Sequence, residues 1–309
     1  MQKIIPNKLN KGDTIGVVAP SCPIVGDNIE EIKRAKEIVE KAGFKVEFSK
    51  NLFANTNLYS ATAKERAEDI NAMFADKNIK MIWCAKGGNG SNAVFEYLDY
   101  DLIKQNPKII CGYSDITSIT NMIAAKTGLV TFSGTNFKTI ATDETAFSFN
   151  EAQKRFVNGS LDFGIGENDK YLCIQEGIAE GELIGGNLFL TKGMVCGNYS
   201  INFENKILFL EDLALESLPP VVSNSLYYMK QNGVFDKIKG LWIGNYSHES
   251  GITLEKIVKD VLENDYNFPI IKSNNFGHIE TKTVIPIGIK ARIDTSKDVK
   301  IELLENCVK

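Results

Sequence analysis

The sequence predicts an α/β fold in two parts: an N-terminal domain on a parallel sheet with helices on both faces, then a strand-rich C-terminal α+β domain. Three observations predict it. Short apolar runs alternate with segments of helical period through the first half of the chain. Helical character fades after Phe156, and residues 158–166, opening Asn158-Gly159-Ser160 and closing Gly164-Ile165-Gly166, read as a linker. Strands dominate the remainder of the chain. With 309 residues, 43% of them hydrophobic, the chain is long enough for two cores of ordinary size, and the division falls as 1–165 and 166–309.

Residues 14–19 form the first apolar run. Residues 28–42 carry Ile29, Ile32, Ala35, Ile38, Val39 and Ala42 on one helical face, with Gly43 as the C-terminal cap. Residues 45–48 alternate as a strand and 64–74 return to helical spacing. The runs 81–84, 108–111 and 129–132 are short and apolar, as fully buried strands are. In the second part, 181–184, 206–210, 238–243, 282–287, 290–293 and 299–304 read as strands, interrupted by helices near 222–231 and 254–262.

The tetrapeptide Gly112-Tyr113-Ser114-Asp115 lies between a buried strand and a helix with Ile116, Ile119, Met122 and Ile123 on one face. A sharp strand-to-helix turn there would lift the Ser114 hydroxyl out of the sheet edge beside free helix N–H groups. The usual hydrolase elbow is G-x-S-x-G, and Ile116 replaces its second glycine. Taken alone, Ser114 or Asp115 reads first as a helix N-cap. A nucleophile needs a base and an orienting acid. The chain has two histidines: His248 sits in a polar loop, whereas His278 follows a strand in Asn274-Asn275-Phe276-Gly277-His278 and is the stronger candidate. Glu211-Asp212 ends the apolar run 206–210, where a carboxylate needs a partner and an imidazole would serve.

Together, Cys111-Gly112-Tyr113-Ser114-Asp115-Ile116-Thr117, Ile207-Leu208-Phe209-Leu210-Glu211-Asp212 and Phe276-Gly277-His278 resemble the three motifs of the LD-carboxypeptidase family, which includes the microcin C immunity peptidases. Gly12 to Ser21, Gly87-Gly88, Thr131-Phe132-Ser133-Gly134 and Pro286-Ile287-Gly288 match in order and spacing, so the resemblance spans nearly the whole chain. It implies a flavodoxin/amidotransferase-like N-terminal domain and a serine peptidase with Ser114 as nucleophile, His278 as base then acid, and Glu211 orienting the histidine. It implies an oxyanion hole from the backbone N–H groups of Gly88 and Asp115. The implied reaction is hydrolysis of the L,D-amide to the terminal D-amino acid of murein tetrapeptides, in cytoplasmic peptidoglycan recycling by a homodimer.

Within that resemblance Lys86 and Asn89 depart from the Arg-Gly-Gly-Tyr-Gly of the carboxypeptidase branch, and Thr135 stands where proline is common. The stretch 87–101 is closer to the immunity peptidases, which cleave an amide between an amino acid and a nucleotide. Phe276-Gly277-His278 is nearer the carboxypeptidase form. A nucleotide substrate would want a stacking aromatic, for which Tyr59, Phe137, Tyr246 and Phe276 are available. A third reading is a non-catalytic protein that uses the cleft and glycine turn to hold an anionic ligand. Lys86 is a candidate cation for a substrate carboxylate, with a solvated lysine as the simpler reading.

Composition narrows the classes. The net charge of −4 and scattered Lys and Arg argue against a nucleic-acid partner. No apolar run approaches ~20 residues and no signal core opens the chain, so neither a membrane partner nor export is expected. The 86–91 turn fits neither phosphate-loop pattern, and the six cysteines show no metal or disulfide spacing. No cofactor and no metal are expected. Cys111, within a strand, ranks below Ser114 as a nucleophile.

Overall fold

A computed structural model describes residues 2–56, 58–166, 169–215, 217–246, 248–263 and 265–309. The first part runs β1 (Thr14–Val18), α1 (Asp27–Lys41), β2 (Lys45–Phe48), α2 (Ala63–Ala75), β3 (Ile79–Cys84), α3 (Tyr100–Gln105), β4 (Ile109–Gly112), α4 (Thr117–Thr127), β5 (Thr131–Ser133) and α5 (Phe147–Phe156). Then come β6 (Leu172–Gln175), β7 (Ile178–Asn187), α6 (Leu188–Lys192), β8 (Lys206–Glu211), α7 (Pro219–Gln231), α8 (Val234–Lys237), β9 (Gly240–Ile243), α9 (Leu254–Leu262), β10 (Ile270–Lys272), β11 (Ile285–Ile287), β12 (Lys290–Asp294) and β13 (Ile301–Leu303). Among the described residues no helix is long and apolar enough to cross a membrane.

The first sheet has the order β11-β5-β4-β3-β1-β2. Its first five strands in sequence are parallel, the arrangement that alternating β and α segments dictate. The second sheet, β13-β12-β7-β8-β9-β10-β6, has a parallel centre and antiparallel edges. A strand-rich pattern is what such mixed edges produce.

Local chemistry explains the elements. Thr62 and Glu65 form a reciprocal capping box on α2. α1 ends at Ala42 with Gly43 at φ 93, as a helix C-terminus prefers. Strands β3, β4 and β8 are buried almost throughout, matching the apolar runs 81–84, 109–111 and 207–210.

One strand lies elsewhere than its sequence neighbours. Residues 282–287 read as a strand of the second part, but only Ile285–Ile287 is extended, and it pairs antiparallel with β5 at the edge of the first sheet. Periodicity reports burial and alternation, not which sheet a strand joins. The two parts are also stitched together by α4 and β7. Asn121 accepts from the Gly185 amide at 3.1 Å and donates to the Gly185 carbonyl at 2.8 Å, and the Asn187 amide donates to Thr117 Oγ1 at 3.0 Å. Gly186 has no room for a side chain, since a Cβ there would stand 2.6 Å from Thr117 Oγ1.

Candidate active site

The chain leaves β4, passes Tyr113 in an extended conformation and turns at Ser114 with φ 65, then enters a short 3-10 turn that continues into α4. A non-glycine residue at that φ is strained, and the strain projects the side chain off the strand end. The turn needs Gly112: a Cβ there would meet Ile116 at 2.8 Å, Asn136 Oδ1 at 2.9 Å and Cys84 at 3.0 Å. Ile116, in place of the second elbow glycine, is fully buried and packs over Gly112.

Ser114 Oγ lies 3.0 Å from His278 Nε2, and His278 Nδ1 lies 2.7 Å from Glu211 Oε2. With Nδ1–H donating to Glu211, Nε2 is left to accept the serine proton. The Phe276-Gly277-His278 motif acquires a physical meaning. Phe276 is buried against Phe209 and Trp242. Gly277, at φ 114, lets the turn approach Glu211, whose Cβ lies 3.1 Å from where a side chain would start. His278 then meets a carboxylate that is itself 3% exposed.

Electrostatics follow from that burial. Burial lowers the His278 pKa, but the Glu211 charge and hydrogen bond, helped by Asp212, outweigh it and leave the pKa raised. Asp212 is pushed up to about 6, by burial first and by Glu211 second, although Asn187 and the Leu213 amide hydrogen-bond to it. His248 bonds Ser250 within its own loop, at 2.8 Å, and takes no part; Ser247 beside it lies outside the described residues. Burial raises the Cys111 thiol well above its ordinary pKa, so it cannot supply a thiolate.

The glycine turn after β3 packs against the elbow. A Cβ on Gly87 would lie 3.0 Å from Ser114 Cβ, and one on Gly88, at φ 138, would collide with Cys22. Among the described residues the Gly88 and Asp115 amides have no hydrogen-bond acceptor. The Asp115 side chain accepts from Ser21 Oγ at 2.5 Å and the Ser91 amide at 2.9 Å. It thereby ties the elbow to both neighbouring loops. Burial raises its pKa against those hydrogen bonds and Arg66.

Sequence reasoning missed Arg66, which is buried and donates to the Pro20 carbonyl at 2.7 Å and the Gly90 carbonyl at 3.0 Å. Its only signal was a lone arginine within the apolar stripe of α2. Of the four aromatics considered for stacking, Phe137, Tyr246 and Phe276 are buried. Tyr59 is exposed and packs on Gly90 and Arg66. Phe189, also unforeseen, is 49% exposed and lines a cavity of about 470 Å³ with Asn89, Gly90, Asp115 and Ser118. Among the described residues no cluster of three or more metal-ligating side chains occurs.

Comparison with known proteins matches residues 15–134 to the model of the LD-carboxypeptidase N-terminal domain and residues 180–293 to that of its C-terminal domain. A Bacillus subtilis relative named "Probable murein peptide carboxypeptidase" is 30% identical over 96% of this chain and 93% of its own length. The microcin C7 self-immunity protein of Escherichia coli is also 30% identical, over 94% of this chain and 93% of its own. A structure of the microcin C7 self-immunity protein in complex with aspartyl sulfamoyl adenosine superposes with a TM-score of 0.88 at 27% identity, covering 99% of this chain and 100% of that one.

Proposed function

The chain belongs to the LD-carboxypeptidase family, and we propose that it is a serine peptidase hydrolysing the L,D-amide bond to the terminal D-amino acid of murein tetrapeptides. The observation that carries this reading is the unbroken relay from Glu211 through His278 to a serine held at φ 65. In the proposed reaction Ser114 Oγ attacks the scissile carbonyl as His278 Nε2 takes its proton. The carbonyl electron pair moves to oxygen, where the Gly88 and Asp115 amides receive it. Each such donor is worth roughly 3 kcal/mol in the transition state.

Collapse of that intermediate breaks the C–N bond, and His278 returns the proton to the departing D-amino acid. An ester to Ser114 remains. A water, deprotonated by the same nitrogen, attacks the ester; the bond to Ser114 Oγ breaks, His278 returns the proton to that oxygen, and the shortened peptide leaves. Glu211 holds the imidazole tautomer and stabilises the imidazolium between transfers. On this reading the nucleophile comes from a domain spanning 1–165, the base and acid come from 166–309, and the enzyme works in the cytoplasm on murein fragments being recycled.

A second reading, cleavage of an amide between an amino acid and a nucleotide, is favoured by Phe189. Its exposed ring on the cavity beside the elbow offers the stacking surface a base requires. The test is to incubate the protein and Ser114→Ala with a murein tetrapeptide and, separately, with an aminoacyl sulfamoyl adenosine. Release of the terminal D-amino acid by the unaltered protein alone supports the first reading, and release of the nucleoside product supports the second. Hydrolysis that persists in Ser114→Ala would remove the serine from its role.

A further inference from the structure

Lys282 is a buried cation beside the relay that the mechanism leaves unused. The residue is 2% exposed. Its ammonium donates to the Ile279 carbonyl and, at 3.4 Å, to that of Glu280, and it lies 4.7 Å from the centroid of the Tyr113 ring. That ring meets His278 edge-on, with centroids 5.2 Å apart. The turn itself is fixed from behind: Ser148 Oγ donates to the Glu280 carbonyl at 3.0 Å and accepts from the Lys282 amide at 3.1 Å.

Two carbonyls and an aromatic face are modest partners for a buried ammonium, which ordinarily demands a carboxylate. Burial accordingly pulls the Lys282 pKa down to about 8, against the charges of Asp143, Glu211 and Glu280. A neutral side chain of similar length would pack there without that penalty. A charge kept in such a place has a use.

The groups facing His278 identify it. Glu211 and Asp212, from the end of β8, both favour the imidazolium. Tyr113, from the elbow, is neutral, its phenol pushed up to about 12 by burial. Burial opposes the two carboxylates first, and Lys282, from the histidine's own turn, is the charged group that joins it. A general base must shed its proton near the working pH, and Lys282 adds a positive charge to the side on which burial already works.

We propose that Lys282 is a positioning residue for the relay: from a fixed turn its buried positive charge, held over the Tyr113 ring that meets the imidazole edge-on, partly offsets Glu211 and Asp212, so that His278 gives up its proton at a lower pH than the two carboxylates alone would set. The purpose rests on the serine-peptidase reading above; the test does not. The chain has two histidines, so ring proton–carbon NMR spectra give one titration curve for His278 and one for His248 as an internal reference. In Lys282→Gln, which keeps a donor and loses the charge, the His278 midpoint should rise by about half to one pH unit while His248 stays put. Lys282→Arg, which keeps the charge, should leave the His278 midpoint near that of the unaltered protein.

An unmoved or lowered His278 midpoint in Lys282→Gln overturns the proposal. So does an equal rise in Lys282→Arg, which would make the effect one of packing. If Lys282→Gln does not fold, Lys282→Met takes the same measurement with the same reading. Fluorophosphonate labelling of Ser114 against pH in the same samples should show its acid limb moving with the midpoint. A protein that is never labelled at any pH would refute the peptidase reading, with the NMR midpoints still deciding the role of Lys282.

Discussion

Gly88→Ala is the sharpest perturbation of the proposed chemistry, because it adds one atom and touches no side chain of the relay. That atom would collide with Cys22 Sγ and stand 2.6 Å from Cys22 Cβ and 3.1 Å from Ser21 Oγ. Non-bonded carbon contacts settle at about 3.5–4.0 Å, so the turn must retreat by about an ångström. The φ of 138 adds strain of about 1–3 kcal/mol for any residue with a Cβ. A retreat of that size takes the Gly88 amide out of range of a developing oxyanion. The expected loss is about 3 kcal/mol, or roughly a hundredfold in kcat, with little change in KM because the donor acts in the transition state. The assay is steady-state release of the terminal D-amino acid from a murein tetrapeptide, coupled to a D-amino-acid oxidase. Adding Cys22→Gly removes both clashing atoms and should return part of the rate. A Gly88→Ala variant that keeps kcat within about threefold of the unaltered protein would refute the assignment of this amide.

The geometry sets three further expectations. Ser114→Gly should melt higher than Ser114→Ala by the equivalent of about 1 kcal/mol, since glycine alone adopts φ 65 freely; equal melting temperatures would mean the elbow stores no strain. Glu211→Gln should lower kcat by about 10³–10⁴. It should also move the acid limb of kcat/KM to lower pH, because the anion that favours imidazolium at His278 is gone; a limb displaced upward would contradict the electrostatics. Asn121→Ala leaves the buried Gly185 amide and carbonyl without their partner and should reduce stability by about 2–4 kcal/mol in urea unfolding, with an unchanged midpoint counting against the α4–β7 junction.

Much of this architecture is legible in the sequence because its signals are local. Strands β3, β4 and β8 declare themselves as apolar runs, and the histidine of the relay could be sought among two. Ser114 and Glu211 sit where a strand pattern stops and His278 lies in the loop that follows one, so their places near strand ends follow from counting. What stays hidden depends on contacts far apart in sequence. β11 reads as one more strand of the second part, since nothing in Ile285-Pro286-Ile287 names Ser133 as a neighbour. Arg66 and Lys282 look like surface charges until their burial is seen. Phe137 and Tyr246 look as available as Tyr59, since aromatic rings carry no mark of which face meets a cavity. The short helices α3 and α6 are too brief to show a period at all.

The position of β11 bears on how the protein comes into being. A chain made from its N-terminus completes β1 to β5 early, but the edge of that sheet stays open until residue 287 has been added. An uncovered apolar edge is a template for pairing with other chains. The segment that finally covers it is continuous with the turn bearing His278, so the event that seals the edge also brings the proposed base to Ser114. Newly made molecules would therefore complete the proposed relay and gain resistance to aggregation in a single late step. A fragment ending at 165 would lack both, and a synthetic strand spanning β11 would restore the second without the first.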